Sequence, residues 1–477
     1  MKIVIVCHNF LPGHTAGTEI YSAQLGLHLK RLGHEVCVFT TEKDIGLPDL
    51  SIRERSYGDL PVTELINNLY YRSFRETWEH PRIAAVFGAF LDRVHPDVVH
   101  VQHLMYLSIG CIEEADRRGI PVLFTLHDYW LHCARYGQRF HADASICTTI
   151  DFSRCGECLS SFKFAQSPLQ RHTGKAIASL RHATGINLAG AAKRSARLLE
   201  AREAAADSRG RPSAEAAASM EREVAARDAA FRARVVPRVH RFLSPSRFLR
   251  ERFIEWGIAA DKIQFLRTGV DLEHFGEGPR TESDRVRVAF IGTFAPHKGA
   301  HVLLEAWGRL DPDLRRRGQL ELIGSMQHNP EYVAELERAA LAVGASIRGG
   351  LARGEIPAAL RSIDLLVVPS VWYENSPLVI IEAICVRTPL LVSNIGGMAE
   401  LVREGKSGYH FDVGRSDDLA QWLGRALSDP SLLASLYREP EPIKRVEEDA
   451  LQIEELYFEA IDAARARLHR QTRPGAG

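Results

Sequence analysis

Glu374 and Glu382 frame the run Glu374-Asn375-Ser376-Pro377-Leu378-Val379-Ile380-Ile381-Glu382, which follows an apolar, strand-like stretch at Ile363–Ser370. Ser376 is a favoured helix N-cap and Pro377 a favoured first helical residue, so the spacing predicts a helix opening there. Its first amide N–H groups, those of Leu378 and Val379, have no intrahelical partner, and such an end attracts phosphate. Glu374 then lies in the loop before the helix. Glu382 lies inside it, on the order of 7 Å further along the axis at 1.5 Å per residue. One ligand would span both carboxylates. Carboxylates accept hydrogen bonds from vicinal hydroxyls, so a nucleotide sugar suits the arrangement: sugar hydroxyls at Glu374, diphosphate at the amides, ribose at Glu382. Asn375, Ser376, Leu378 and Val379 join the donor-contacting set on this reading. The plainer alternative is an N-terminal glutamate favoured by the helix dipole and an unrelated second one.

Other segments add to the set. The strand pattern Val288–Ile291 runs into Gly292-Thr293-Phe294-Ala295-Pro296-His297-Lys298-Gly299 and then a helical pattern at Val302–Trp307. A glycine-containing strand-to-helix loop ending in one lysine is a phosphate cradle in outline, Lys298 supplying a point charge, or else a surface loop with a lysine on it. It lacks the Walker spacing. Nor does Gly-x-Gly-x-x-Gly follow the first strand, which counts against a nicotinamide dehydrogenase. After that strand, Gly17 would permit close backbone approach and Glu19 would stand at a helix start; an ordinary flexible loop is the alternative. Thr125-Leu126-His127-Asp128 sets His127 at the carboxyl end of another strand, with Asp128 placed to orient its ring unless the histidine is structural.

Cys133, Cys147, Cys155 and Cys158 follow closely, and Cys155-Gly-Glu-Cys158 has the form of a zinc knuckle. A tetrahedral structural zinc is expected there, with His132 or His141 as substitute ligands; unrelated thiols are the alternative. Eight cysteines in 477 residues with no export signal point to a reducing cytoplasm. The apolar run at the start, Lys2–Val6, is far short of the roughly 20 residues that span a bilayer. Peripheral contact at the inner membrane face stays open. Lys+Arg and Asp+Glu both total 60, so the overall field gives no case for nucleic acid as a partner.

These residues need scaffolding, and the chain supplies strands alternating with helices, which imply parallel sheets. One series runs Lys2–Val6, Glu35–Thr40, Asp97–Val101, Pro121–Leu126 and Val239–Ser244; a second runs Arg287–Ile291, Leu320–Ile323, Leu365–Val368, Pro389–Val392 and Gly408–Phe411. The expectation is an N-terminal domain over 1–240, with a solvated helical insert at about 165–236 rich in Ala, Arg and Glu, and a C-terminal domain over 241–440. Residues 441–477 hold a long amphipathic helix and a polar tail. Two doubly wound domains in tandem leave a cleft at the carboxyl ends of their strands.

Together the segments resemble the retaining glycosyltransferases of the GT-B fold, in glycosyltransferase family 4 (glycosyl transferases group 1). Ser244-Pro-Ser246 and Thr268-Gly-Val-Asp271 match further landmarks, the latter with Thr268 where the family usually has asparagine. The resemblance implies two Rossmann-like domains and a C-terminal helix crossing back to the first. It implies a UDP- or GDP-sugar donor with no catalytic metal, and a glycan or lipid-linked acceptor in surface polysaccharide or glycoconjugate synthesis. Gly17 would lie near the donor phosphates, His127 near the transferred sugar, Lys298 on the diphosphate, Glu374 on sugar hydroxyls and Glu382 on ribose. Where the family carries arginine, this chain has Thr293; His297, Arg247 or Arg353 would replace it, or donor binding is weaker. The same architecture also serves non-catalytic nucleotide or glycan binders, sugar-nucleotide epimerases and phosphorylases.

Overall fold

A computed structural model describes residues 1–472 apart from 142–144, 161, 185–212, 276–277, 327–328 and 439–441. Among the described residues eight strands make the first sheet: β1 (Lys2–Val6), β2 (Glu35–Glu42), β3 (Ile52–Tyr57), β4 (Leu60–Ile66), β5 (Val98–Val101), β6 (Val122–Thr125), β7 (Arg241–Ser244) and β8 (Ile263–Phe265). Their order is β3-β4-β2-β1-β5-β6-β7-β8, parallel throughout except for the β3–β4 hairpin. Among the same residues six parallel strands make the second: β9 (Val286–Ile291), β10 (Gly318–Gly324), β11 (Ser346–Gly349), β12 (Leu365–Val368), β13 (Leu390–Ser393) and β14 (Gly408–Phe411), in the order β11-β10-β9-β12-β13-β14. The inner strands read as apolar runs because helices cover both faces; Ile3, Val4, Ile5 and Val6 are all at 0% exposure.

The strand order fixes where ligands go. β1 has β2 on one side and β5 on the other, and β9 has β10 and β12, so the winding reverses at β1 in one sheet and β9 in the other. Crevices open at the carboxyl ends of such strands. Those ends carry the loops after Val6 and after Ile291, both singled out from the sequence.

The first sheet runs past residue 240, into the stretch 240–285 where the turn Leu266–Asp271 and the polar run Glu277–Asp284 suggest the junction. β7 pairs with β6 through Phe242 and Leu243, and β8 pairs with β7, so the first sheet continues to Phe265. The apolar Phe242-Leu243 pair completes the first core, with the helix Arg247–Trp256 behind it.

The insert departs from a solvated protrusion in part. Its helix Ala214–Ala230 packs against the helix Phe152–Ser160, where a Cβ on Gly156 would meet the Ala217 carbonyl at 2.4 Å. Small residues let the two backbones approach. Val224 is buried, and buried Arg227 donates to the carbonyls of Trp130 and Leu131 at 2.5 and 3.3 Å. Residues 185–212, the middle of the expected insert, lie outside the described residues.

The last helix, Val446–Thr472, returns to the first domain and lies against the helix Gly17–Arg31. Ala450, Ile453, Tyr457 and Ala460 are fully buried in the same core cluster as Ile3 and Ile5. Tyr457 hydroxyl meets His100 Nδ1 at 2.7 Å, and His100 Nε2 meets Thr125 Oγ1 at 2.8 Å. Among the described residues no helix is long and apolar enough to cross a membrane.

Candidate active site

On the second domain, Glu374 is buried and its Oε1 takes two bonds, from Lys298 Nζ at 2.5 Å and from Ser370 Oγ at 3.0 Å. Burial alone would raise its pKa, but the lysine charge and these donors outweigh burial and hold it below the usual carboxylate value. Lys298 is delivered by the loop Gly292–Gly299, whose last residue sits at φ 74 with its Cα against Pro369: a Cβ there would meet the Pro369 carbonyl at 1.8 Å. Only glycine fits. The loop thereby locks onto the segment that leads from β12 to Glu374.

The helix after Glu374 spans Leu378–Cys385, one residue later than the sequence predicts. Pro377 is the cap residue, at φ −66 and ψ 121, and no side chain caps the helix. Ser376 therefore does not cap; its hydroxyl is buried without a hydrogen-bond partner among the described residues. An uncapped amino end leaves its amides for an anion. Glu382, one turn inside, is buried; burial raises its pKa, and the Arg353 charge opposes the rise. Across the cleft stands the amino end of the helix Gly17–Arg31, with Gly17 beside the Leu378 side chain: a Cβ on Gly17 would lie 3.7 Å from it, an ordinary contact. Two helix amino ends thus face one another.

Asn375 has a different task from the donor contact expected of it. Its Nδ2 donates across the domain boundary to the carbonyls of Leu126 and His127, both at 3.1 Å, and its Oδ1 accepts from Ser246 Oγ at 2.6 Å. Those bonds occupy its donors. Glu400, which the sequence did not single out, makes a second link: its carboxylate accepts from the backbone N–H groups of Arg247 and Phe248 at 2.9 and 2.5 Å, capping the helix Arg247–Trp256. Of the residues considered for the role of arginine at Thr293, His297 is packed on Trp372 and burial pushes it down to about 4, whereas Arg247 lies over the Phe265 ring. Arg353 is exposed and bears on Glu382.

On the first domain, His127 is half-buried at the end of β6 and its Nε2 meets Gln102 Oε1 at 2.7 Å. Asp128 does not orient it. That carboxylate turns to His103, whose Nε2 lies 3.1 Å from Oδ2, because the loop closes so tightly that a Cβ on Gly137 would meet Asp128 at 2.7 Å. Burial first, then His103, lowers the His127 pKa, so the ring is neutral. Glu19 is buried against His8, its Oε1 3.4 Å from His8 Nε2. His8, Gln102 and His103 were missed; their signal is that each sits just past the carboxyl end of β1 or β5.

The four cysteines expected to hold zinc, Cys133, Cys147, Cys155 and Cys158, lie near enough that, after burial, their charges raise the thiol pKa of Cys133, Cys147 and Cys155, but they are not arranged as a ligand set. Among the described residues no three His, Cys, Asp or Glu groups are placed to hold a metal ion, and all four thiols are free. Cys155 and Cys158 lie within the helix Phe152–Ser160, so they do not form the turn of a knuckle. Cys147 Sγ donates to the Thr149 carbonyl at 3.2 Å, Cys158 accepts from Arg135, and burial pushes the Cys155 thiol up to about 12.

Two family models match this chain: residues 275–440 match Glycosyl transferases group 1, and residues 15–154 match Glycosyltransferase Family 4. Among curated proteins, D-inositol 3-phosphate glycosyltransferase from Rhodococcus jostii (strain RHA1) is 31% identical over 201 residues, covering 39% of this chain and 44% of that one. The chain thus spans less than half the length of the curated relatives it matches. Among solved structures, HepE from Anabaena, in complex with UDP and glucose, aligns with a TM-score of 0.56 at 16% identity, covering 99% of each chain. Sucrose-phosphate synthase from Thermosynechococcus elongatus aligns with a TM-score of 0.56 at 17% identity, covering 98% of each chain. The fold is GT-B, two parallel-sheet α/β domains facing across a cleft.

Proposed function

We propose that the protein is a glycosyltransferase that moves a sugar from a nucleotide-sugar donor to an acceptor hydroxyl with retention of anomeric configuration. The observation that carries this reading is the Lys298–Glu374 pair at 2.5 Å beside an uncapped helix amino end. A cation for a diphosphate and a carboxylate for sugar hydroxyls are adjacent and neutralise one another while the site awaits a donor. On binding, Lys298 and the amides of Leu378 and Val379 take the diphosphate, Glu374 the sugar and Glu382 the ribose.

In the transfer, the bond from the anomeric carbon to the phosphate oxygen breaks as the acceptor oxygen bonds to that carbon on the same face. The acceptor proton passes to the leaving phosphate, so no protein base and no metal are needed. Lys298 and the amides stabilise charge as it develops on the departing diphosphate. Arg353 takes the part left vacant at Thr293. The two family matches support the reading, as does the HepE neighbour described in complex with UDP-glucose. We assign the acceptor to the glycan or lipid-linked class of surface glycoconjugate synthesis, and the protein to the cytoplasm with peripheral contact at the membrane's inner face.

Calorimetry with UDP- and GDP-sugars should find one that binds. Lys298→Ala and Glu374→Ala should each lower transfer at least tenfold, since a hydrogen bond to a charged group is worth about 1.5–3 kcal/mol. Wild-type turnover in either variant would remove the assigned site. Loss of activity on chelation with recovery on adding magnesium or manganese, or an inverted anomer by NMR, would overturn the mechanism.

A further inference from the structure

A second polar cluster, of which the donor reading took only Glu19, sits at the carboxyl ends of β1 and β5. His103 Nδ1 accepts from the Met105 N–H at 2.9 Å, so its other nitrogen carries the proton and donates to Asp128 Oδ2 at 3.1 Å. Asp128 Oδ1 accepts from the Trp130 N–H at 2.7 Å. Each carboxylate oxygen is thus held by one donor and keeps a lone pair. The Asp128 side chain is 31% exposed, which puts those lone pairs within reach of a ligand.

The rest of the cluster is incomplete as it stands. The His8 ring lies 4.4 Å from the His103 ring and Glu19 stands beside His8, yet among the described residues His8 Nδ1 and Glu19 Oε2 have no partner although the Glu19 side chain is only 2% exposed. A buried polar atom left unpaired destabilises the site, and a ligand hydroxyl would relieve it. Next to it the rings of Tyr106 and Tyr136 meet edge-on at 5.9 Å, Tyr106 lying 6.2 Å from His8. Both tyrosines hold positive φ, 63 and 49, a backbone region that bulky residues avoid and that clusters at binding sites.

We propose that His8, Glu19 and Asp128, with Tyr106 and Tyr136 as an aromatic wall and His103 as the positioning residue for Asp128, form an acceptor subsite that takes an uncharged sugar ring rather than a phosphorylated one. The inference rests on the transferase reading and names its acceptor class. Carboxylates accept from sugar hydroxyls, and aromatic rings cover the apolar C–H face of a pyranose. A phosphate would need free cations, and the guanidinium ends of the adjoining loop are turned to the loop itself: Arg135 Nη1 donates to the Phe140 carbonyl while its buried Nε has no partner among the described residues, and Arg139 donates to the carbonyls of Cys147 and Thr148. Burial also keeps His8 and His127 neutral.

The test uses the full chain with no nucleotide present. Saturation-transfer NMR is recorded with methyl α-glucoside, α-galactoside and α-mannoside, and with the matching hexose 6-phosphates; UDP and GDP binding to the same samples is measured by calorimetry. At least one methyl glycoside should receive saturation, and the hexose 6-phosphates should receive none. Asp128→Asn, which must turn an N–H₂ towards one of two N–H donors, and Tyr106→Ala should each cut the effect at least fivefold while nucleotide affinity stays within twofold of wild type. His103→Leu should do the same and His103→Gln, which keeps an N–H donor, should recover part of it. Preferred binding of the hexose phosphates, absence of glycoside binding, or full binding by both the Asp128 and Tyr106 variants would overturn the proposal. Glycoside binding as expected in a protein that binds neither nucleotide would retain this subsite and remove the donor reading instead.

Discussion

Glu382 is costly to the fold, and that cost is measurable. Burial raises its pKa above 4.5, so the folded state holds the proton more tightly than the unfolded chain does. Stability contributed by the group therefore falls as pH climbs from the unfolded value to the folded one. Glu382→Gln removes the buried charge and is predicted to raise stability at pH 7.5 by about 1 kcal/mol, or roughly 2–4 °C in Tm, with a smaller gain at pH 4.5. Donor affinity should fall in the same variant. Thermal unfolding at the two pH values checks the first part; a gain that is equal at both would place the carboxylate elsewhere than in a buried site. The placement of the two glutamates, one before a helix and one inside it, was legible because seven intervening residues straddle a predictable helix start. Asp128 was legible as a residue and misread in its partner: adjacency to His127 suggested one pairing, whereas the Gly137 turn and β5 bring His103 to it. Chain neighbours are visible in a sequence; neighbours across a sheet are not.

At the scale of elements, the segment Glu374–Val379 does two things at once. It offers amides to the cleft and, through Asn375, ties the second domain to the end of β6. Asn375 was read as part of the donor site because nothing in one sequence reveals a bond across 249 positions. The carbonyls of Leu126 and His127 require a donor, so Asn375→Ala is predicted to cost about 1–3 kcal/mol for the groups left unpaired. Asn375→Asp should be worse, since it would set a carboxylate against two carbonyl oxygens in a buried place. Chemical denaturation ranks the two; if Asp is tolerated as well as Ala, the latch is misassigned. Elements with continuous apolar runs, such as β1 and β12, were read correctly from pattern. The β3–β4 hairpin was not: β3 carries Arg53, Glu54 and Arg55 on an edge, and an edge strand shows no long apolar run. The Cys155–Cys158 spacing misled for a related reason, since the same two-residue gap fits a turn or a helix.

At the scale of the molecule, two doubly wound sheets were legible because parallel strands buried on both faces leave unbroken apolar runs. How the chain returns from one sheet to the other was visible only as a long amphipathic helix. The structure shows that the return hinges on one carboxylate. Asp449 is at 0% exposure and gathers three donors from three places: Tyr21 hydroxyl at 2.9 Å from the helix facing the cleft, the Gly269 N–H at 2.9 Å from the outgoing crossing, and Lys444 Nζ from the returning one. The two crossings touch there, Val270 bridging to Arg445, and a Cβ on Gly269 would meet the Arg445 carbonyl at 2.5 Å. Removing one partner of a buried ion pair leaves the other uncompensated, which costs about 3–5 kcal/mol. Asp449→Ala is therefore predicted to destabilise the protein by that amount, far more than removal of an exposed pair such as Arg415–Asp417. Because Tyr21 lies 5.4 Å from the His127 ring, the same variant should also weaken nucleotide-sugar transfer at temperatures where it is still folded. Thermal unfolding followed by activity at 15 °C separates the two effects. Unchanged Tm in Asp449→Ala would show that the two crossings are held together by packing alone.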